Sequence, residues 1–362
     1  MPPETRWSTE VLERFLLGFQ GTGLPEELAA LLASGLAGVA IYPRNYRDLN
    51  GLRRLTDSIR RASKGQVLIG IDQEGGTKFS LQQPFTDWPS PADLGALGDA
   101  AMTERVARAM ARELRAAGVN LNFAPMLDLA TNPNSPVTSG RSFGADPHKV
   151  AEMGVAVLRG FAAEGILGCA KHFPGHGDAA VDPHFDLPRF DRTVERPAQH
   201  ELVPFSAAIA ANVPTVMTAH ILVPQLDPNR PASLSPHALR GILREQLHFG
   251  GVILADDLGM GAIAKRNTPG ENAIQTLEAG TDVVMLCHDS TIVPGAIKAV
   301  AEALEAGCFD QHDWIAGRNR IAGLRERILE VDSPEPSADV IGCAEHRVLA
   351  NEVCARLAHP RE

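Results

Sequence analysis

Short apolar runs alternate with amphipathic stretches eight times along the chain, and that rhythm limits the folds open to it more than any other feature. The runs lie at Phe15–Gly21, Gly38–Pro43, Val67–Asp72, Asn120–Asp128, Ile166–Phe173, Thr215–His220, Val252–Asp257 and Asp282–Cys287. Between them stand Ala/Leu/Arg-rich stretches with helical character: Glu26–Ala33, Leu49–Ser63, Ala100–Ala117, His148–Glu164, Pro197–Ala211, Pro236–Gln246 and Glu271–Ala279. Val293–Leu304 and Trp314–Leu329 follow the last run. Parallel strands buried on both faces read as continuous apolar runs, so the pattern predicts an α/β fold. Eight strand–helix units suit a closed (β/α)8 TIM barrel, a single domain over residues 1–331. An open doubly wound sheet gives the same alternation, but no Gly-x-Gly-x-x-Gly fingerprint follows an early strand. Asp332 to Ala338, with two prolines, reads as a linker, and Ala344–Leu357 as a helix packed back on the barrel. Residues 332–362 are therefore expected to be an extension rather than a domain.

Charge and cysteine content narrow the partners. Thirty-four basic against 44 acidic side chains leave a net charge of −10, the wrong sign for a nucleic acid or an anionic membrane. The five cysteines are odd in number and lack CxxC spacing, so they mark neither a zinc site nor a disulfide framework. Met1 to Glu13 has no apolar signal-peptide core, and no apolar run reaches membrane-span length. A cytoplasmic protein, monomeric or weakly homo-oligomeric, is the expectation.

Polar residues concentrate where the runs end. The third closes in Asp72-Gln73-Glu74-Gly75-Gly76, the fourth in Asp128, the fifth in Lys171-His172, the sixth in His220 and the seventh in Asp256-Asp257. In a parallel barrel the C-terminal strand ends share one mouth, so five such ends predict one polar cup. Taken singly, an acid at a strand end such as Asp257 serves equally to cap the next helix.

The segment from Lys171 to Pro188 is the densest: a lysine, three histidines and three aspartates, broken by glycines and prolines. It can be neither a helix nor a central strand after its first residues. Zinc binding and a purely structural polar turn compete with a catalytic loop, although no HExxH or paired Cys/His spacing is present. Asp182 and His184 stand two apart, a spacing that puts side chains on one face of an extended segment. A carboxylate there would fix the imidazole tautomer, which suits a general acid and base.

Lys171-His172-Phe173-Pro174-Gly175-His176-Gly177-Asp178, with Asp182 and His184, resembles the signature of family 3 glycoside hydrolases, in their single-domain β-N-acetylhexosaminidase branch. Gly70-Ile71-Asp72-Gln73-Glu74-Gly75-Gly76, Asn122-Phe123-Ala124-Pro125 with Asp128, Arg141-Ser142-Phe143-Gly144, Met217-Thr218-Ala219-His220, Pro231-Ala232-Ser233 and Ala255-Asp256-Asp257-Leu258-Gly259-Met260 match in order. The resemblance spans roughly residues 13 to 290, the proposed barrel. It implies Asp256 as nucleophile, His184 as acid/base with Asp182 as its partner, and Asp72, Arg141, Lys171 and His172 as holders of the sugar. It implies a small carbohydrate substrate, with muropeptide fragments among the natural ones, and no metal or organic cofactor.

Two positions depart from the family pattern. Thr77 and Ser80 stand where the family has arginines, and Lys78 cannot reproduce an arginine's fork from a shifted place. Pro183 stands in the middle of Asp182-Pro183-His184, where a serine or threonine is common. Alternatives within the family are a β-N-acetylglucosaminide phosphorylase and a β-glucosidase. From other classes come a non-catalytic sugar-binding barrel and an aldolase using Lys171 as its Schiff base.

Overall fold

The computed structural model describes residues 7–63, 67–79, 81–177, 179, 181–190, 197–329 and 335–359. Its centre is a closed, all-parallel barrel of strands β1 (Phe15–Leu17), β2 (Gly38–Ile41), β3 (Leu68–Ile71), β4 (Leu121–Asn122), β5 (Leu167–Phe173), β6 (Thr215–Thr218), β7 (Val252–Asp257) and β8 (Val283–Leu286). Strands pair in chain order, and β8 returns to β1 with Phe15 opposite Val284. The (β/α)8 expectation holds. The strands are mostly shorter than the apolar runs, β4 above all. Pro125 has no N–H to give a ladder, and the chain beyond it follows β5 through irregular bonds instead. There the Cys169 and Lys171 N–H groups donate to the Ala124 and Pro125 carbonyls, and the Leu127 N–H donates to Lys171.

Alternation along the strands sorts side chains into two apolar layers. Leu16, Ala40, Leu68, Phe123, Leu167, Cys169, Met217, Val252, Leu254, Val283 and Met285 fill the barrel interior. Their neighbours Leu17, Val39, Ile69, Val216, Ile253 and Val284 face outward, into the larger core beneath the helices. Phe123 fits inside because Gly70 opposite has no side chain; a Cβ there would lie 2.4 Å from its ring. Ile321 and Leu324, from helix Gln311–Leu329, join the interior cluster. They close the N-terminal end of the barrel, where Arg244 and Arg320 grip Asp282 at 2.6 and 2.8 Å. The C-terminal strand ends are left to form the mouth.

The surrounding helices include Glu26–Ala33, Leu49–Ala62, Ala100–Ala116, Pro147–Ala163, Pro197–Ala210, the π-helical His237–Gln246, Pro269–Ala279 and Val293–Glu305. Among the features that escaped the sequence reading are a short helix Pro91–Leu97, capped by reciprocal Ser90–Asp93 bonds, and a hairpin pairing Gln73–Gly75 with Lys78–Phe79. Helix Ala344–Ala358 lies against Pro91–Leu97 and Ala100–Ala116, where His346 Nδ1 meets buried Glu113 at 2.8 Å. Trp88 packs on His346 rather than opening to the mouth. Among the described residues, no helix is long and apolar enough to cross a membrane.

Candidate active site

Strand parity decides which polar residues reach the mouth. Asp72 continues the inward series of Leu68 and Gly70, Lys171 that of Leu167 and Cys169, and Asp256 that of Val252 and Leu254. All three line one hollow of about 310 Å³. Its wall also contains Glu74, Thr77, Arg141, His172, His176, Asp182, His184 and His288. All seven side chains expected to act on sugar therefore border the same space. Asp178 and Ser80 lie outside the described residues, as does the side chain of Lys78.

Glu74 organises one wall. It is almost fully buried, with Lys171 Nζ 2.7 Å away and the Arg141 guanidinium bound in a two-pronged grip at 2.7 and 2.9 Å. Burial alone would raise its carboxyl, but the charges of Lys171 and Arg141 outweigh that and hold it far below the usual carboxylate range. Lys171, 2% exposed, also reaches Asp72 at 2.7 Å. Burial pulls its ammonium down, while Asp72 and Glu74 pull it further up, so it stays protonated. Arg141 gives its remaining Nη1 to the Val137 carbonyl at 3.1 Å. Its fork is committed to Glu74, and Asp72 is the most exposed member of this group, all of which border the hollow.

A second group surrounds the histidines. Buried Asp128 accepts from His172 Nδ1 at 2.7 Å and from the His176 N–H at 2.7 Å, so one carboxylate orients both. Both ring nitrogens of His176 are buried without a hydrogen-bond partner. Its burial pushes the imidazole down to about 4, so it is neutral near pH 7. His220, which the strand-end pattern placed near the mouth, is fully buried. It holds Ser233 at 2.7 Å and the Asp257 carbonyl at 3.2 Å, so it supports the seventh strand from behind.

Asp256 is half-buried at the floor and accepts from the Asp257 N–H at 2.8 Å. Burial would raise its carboxyl, but the His172 and His220 charges, the Asp257 N–H and Lys171 together lower it. Asp256 is thus held as a carboxylate. Asp257 also borders the hollow, but its carboxylate is taken up by structural bonds, accepting from Gly259 N–H and Cys287 N–H and meeting His288 Nδ1 at 2.6 Å. His288 borders the hollow too; in the sequence only its place just past the eighth strand end could have marked it.

Asp182 and His184 meet, though not along an extended segment. The chain turns there, with the Phe185 N–H donating to the Asp182 carbonyl at 3.0 Å. The Asp182 carboxylate accepts from the His184 N–H at 2.9 Å and contacts His184 Nδ1 at 2.7 Å. Aspartate favours this side-chain-to-backbone turn, and Pro183 supplies a preset φ at its second position. His184 is 58% exposed in its side chain, on the rim above Asp256.

The sequence matches the model of the glycosyl hydrolase family 3 N-terminal domain over residues 20–324. It is 37% identical to a β-hexosaminidase of Stenotrophomonas maltophilia, across 79% of this chain and 86% of that protein. It is 33% identical to β-hexosaminidase A of Pseudoalteromonas piscicida over 92% of this chain, which spans 60% of that longer protein. A family 3 β-N-acetylglucosaminidase from Paenibacillus superposes with a TM-score of 0.90 at 34% identity, covering 96% of this chain and 68% of the other. The barrel, its mouth and these likenesses agree: the chain belongs to glycosyl hydrolase family 3, among its β-hexosaminidases.

Proposed function

We propose that the protein is a retaining, exo-acting β-N-acetylhexosaminidase that removes terminal β-linked N-acetylglucosamine, with muropeptide fragments as its natural substrate class. The observation that carries this reading is that an ionised Asp256 on the floor and the Asp182–His184 pair on the rim border one hollow of about 310 Å³. That volume is at the lower end for small-molecule sites and suits one sugar ring. In the reading, Asp256 attacks the anomeric carbon, forming a C–O bond as the glycosidic C–O bond breaks. His184 gives its Nε2 proton to the departing oxygen, and Asp182 steadies the imidazolium through Nδ1. His184 then takes a proton from water, whose oxygen displaces Asp256 and leaves the sugar with its original configuration. Asp72, Lys171, His172 and Arg141 hold the hydroxyls, and Thr77 leaves space where the family carries an arginine.

An aryl β-N-acetylglucosaminide followed by proton NMR tests it. Release of the β anomer first, lost in Asp256→Ala, is the expected result; release of the α anomer, or activity surviving in Asp256→Ala, counts against it. Adding inorganic phosphate distinguishes hydrolysis from phosphorolysis, since only a phosphorylase yields the sugar 1-phosphate.

A further inference from the structure

The loop carrying Asp182 and His184 is tied down at three places among its described residues. At its start, the His176 N–H donates to Asp128, and Gly177 presses so closely on Leu129 that a Cβ would meet its carbonyl oxygen at 1.5 Å. At its end, the Leu222 N–H donates to the Pro188 carbonyl at 2.9 Å, and the Phe190 N–H to the Leu222 carbonyl at 2.9 Å. The middle tie lies at the dyad itself. The Ala262 N–H donates to the Pro183 carbonyl at 3.0 Å, and the Gly261 N–H to the His184 carbonyl at 3.1 Å. Gly261 and Ala262 open the short helix Gly261–Ala264, four residues past the end of β7 at Asp257. The chain leaving the Asp256 strand thus grips the backbone of His184.

That grip depends on residue 261 having no side chain. A Cβ there would lie 2.7 Å from the His184 carbonyl oxygen and 2.8 Å from that of Phe185. Both obstacles are backbone, so neither can swing aside as the end of a flexible side chain would. Gly261 is not in the left-handed region, so its backbone conformation is open to any residue and space alone calls for glycine. The turn at 182–186 is itself stiff: the Phe185 and Asp186 N–H groups donate to the Asp182 carbonyl, and the Asp182 carboxylate binds both the N–H and Nδ1 of His184. Displacing the His184 carbonyl therefore carries its imidazole along.

We propose that Gly261, with the Ala262 N–H, is a positioning residue that sets the reach of His184 over Asp256. The proposal rests on the retaining-hydrolase reading. A misplaced His184 fails to protonate the glycosidic oxygen as the bond to carbon breaks, which matters for a sugar or alkyl aglycone. A dinitrophenolate leaves without a proton and is insensitive to it.

The test compares kcat/KM of wild type, Gly261→Ala and Ala262→Pro on the dinitrophenyl and methyl β-N-acetylglucosaminides. Proline at 262, in the first helical turn, removes the N–H that holds Pro183 and adds a ring where Ala262 is fully buried, so it probes the same clamp from a second residue and its rate on the dinitrophenyl glycoside is the control for fold. The expected result is a loss of about tenfold or more on the methyl glycoside with the dinitrophenyl glycoside little changed, as for a weakened general acid. Equal losses on both substrates, or no loss on either, overturn the proposal. The dinitrophenyl rate shows that each variant is folded. A wild type inactive on both substrates contradicts the hydrolase reading, and the proposal with it; the variants bear on Gly261 alone only when wild type turns both over.

Discussion

At the scale of single residues, the site depends on charges that are buried and fully paired. Glu74 bridges two cations from different parts of the chain, Lys171 at the end of β5 and Arg141 from the segment after β4. Removing one partner of such a group leaves the others buried and uncompensated, which typically costs about 3–5 kcal/mol. Glu74→Gln is therefore expected to lower the free energy of unfolding, measured by denaturant titration, by an amount in that range and to weaken substrate binding, because Lys171 loses one of its two anionic anchors. Unchanged unfolding with an unchanged KM would show that the network does not support the site. Asp72, Lys171 and Asp256 were legible from sequence because each ends an apolar run in the inward parity. Glu74 stood in the same strand-end cluster, but its two partners did not show: it lies past the end of β3, in a hairpin that the apolar pattern missed, and Lys171 and Arg141 are distant in sequence.

At the scale of elements, periodicity was informative wherever one face of an element is uniformly apolar. The eight runs became the eight barrel strands, and Glu26–Ala33 matches its helix end to end. What periodicity could not supply was the behaviour of segments stopped by other chemistry. Asn120–Asp128 reads as a long strand, but Pro125 ends its ladder, and only Leu121–Asn122 pairs regularly. Pro91–Leu97 is too short to show a helical stripe, although its Ser90-Pro91-Ala92-Asp93 start carries a capping signature. The Asp182–His184 pair was correctly drawn together for the wrong local reason: an aspartate-led turn, not strand alternation, brings the two groups into contact. Gly261 had no sequence signal of its own, because its importance is the space it leaves for another segment's backbone.

At the scale of the whole molecule, the barrel's two ends are treated differently. One is sealed by Ile321 and Leu324 beneath the Asp282 ion cluster, and the other keeps ionisable groups in a half-closed hollow. That asymmetry has a stability cost on the acid side. His176 is buried among Asp128, His172 and Asp256, with its folded-state pKa pushed to about 4 from an ordinary 6.5. Between those two values the unfolded chain takes up a proton that the folded protein refuses, so this group's contribution is complete above pH 6.5 and is lost as pH falls to about 4. The contribution is of order 3 kcal/mol. Urea unfolding of His176→Gln at a series of pH values should show a shallower decline across that window than wild type; identical slopes would mean that the buried imidazole is not a source of acid lability.

The central claim is that Asp256 becomes covalently bonded to the sugar. The most direct measurement is intact mass and peptide mapping after treatment with a fluorinated N-acetylglucosaminyl fluoride, which forms the glycosyl-enzyme and releases it slowly. The account predicts one added sugar per chain, on the peptide containing Asp256, and none in Asp256→Ala. Turnover with no adduct, or an adduct on any other residue, would contradict it.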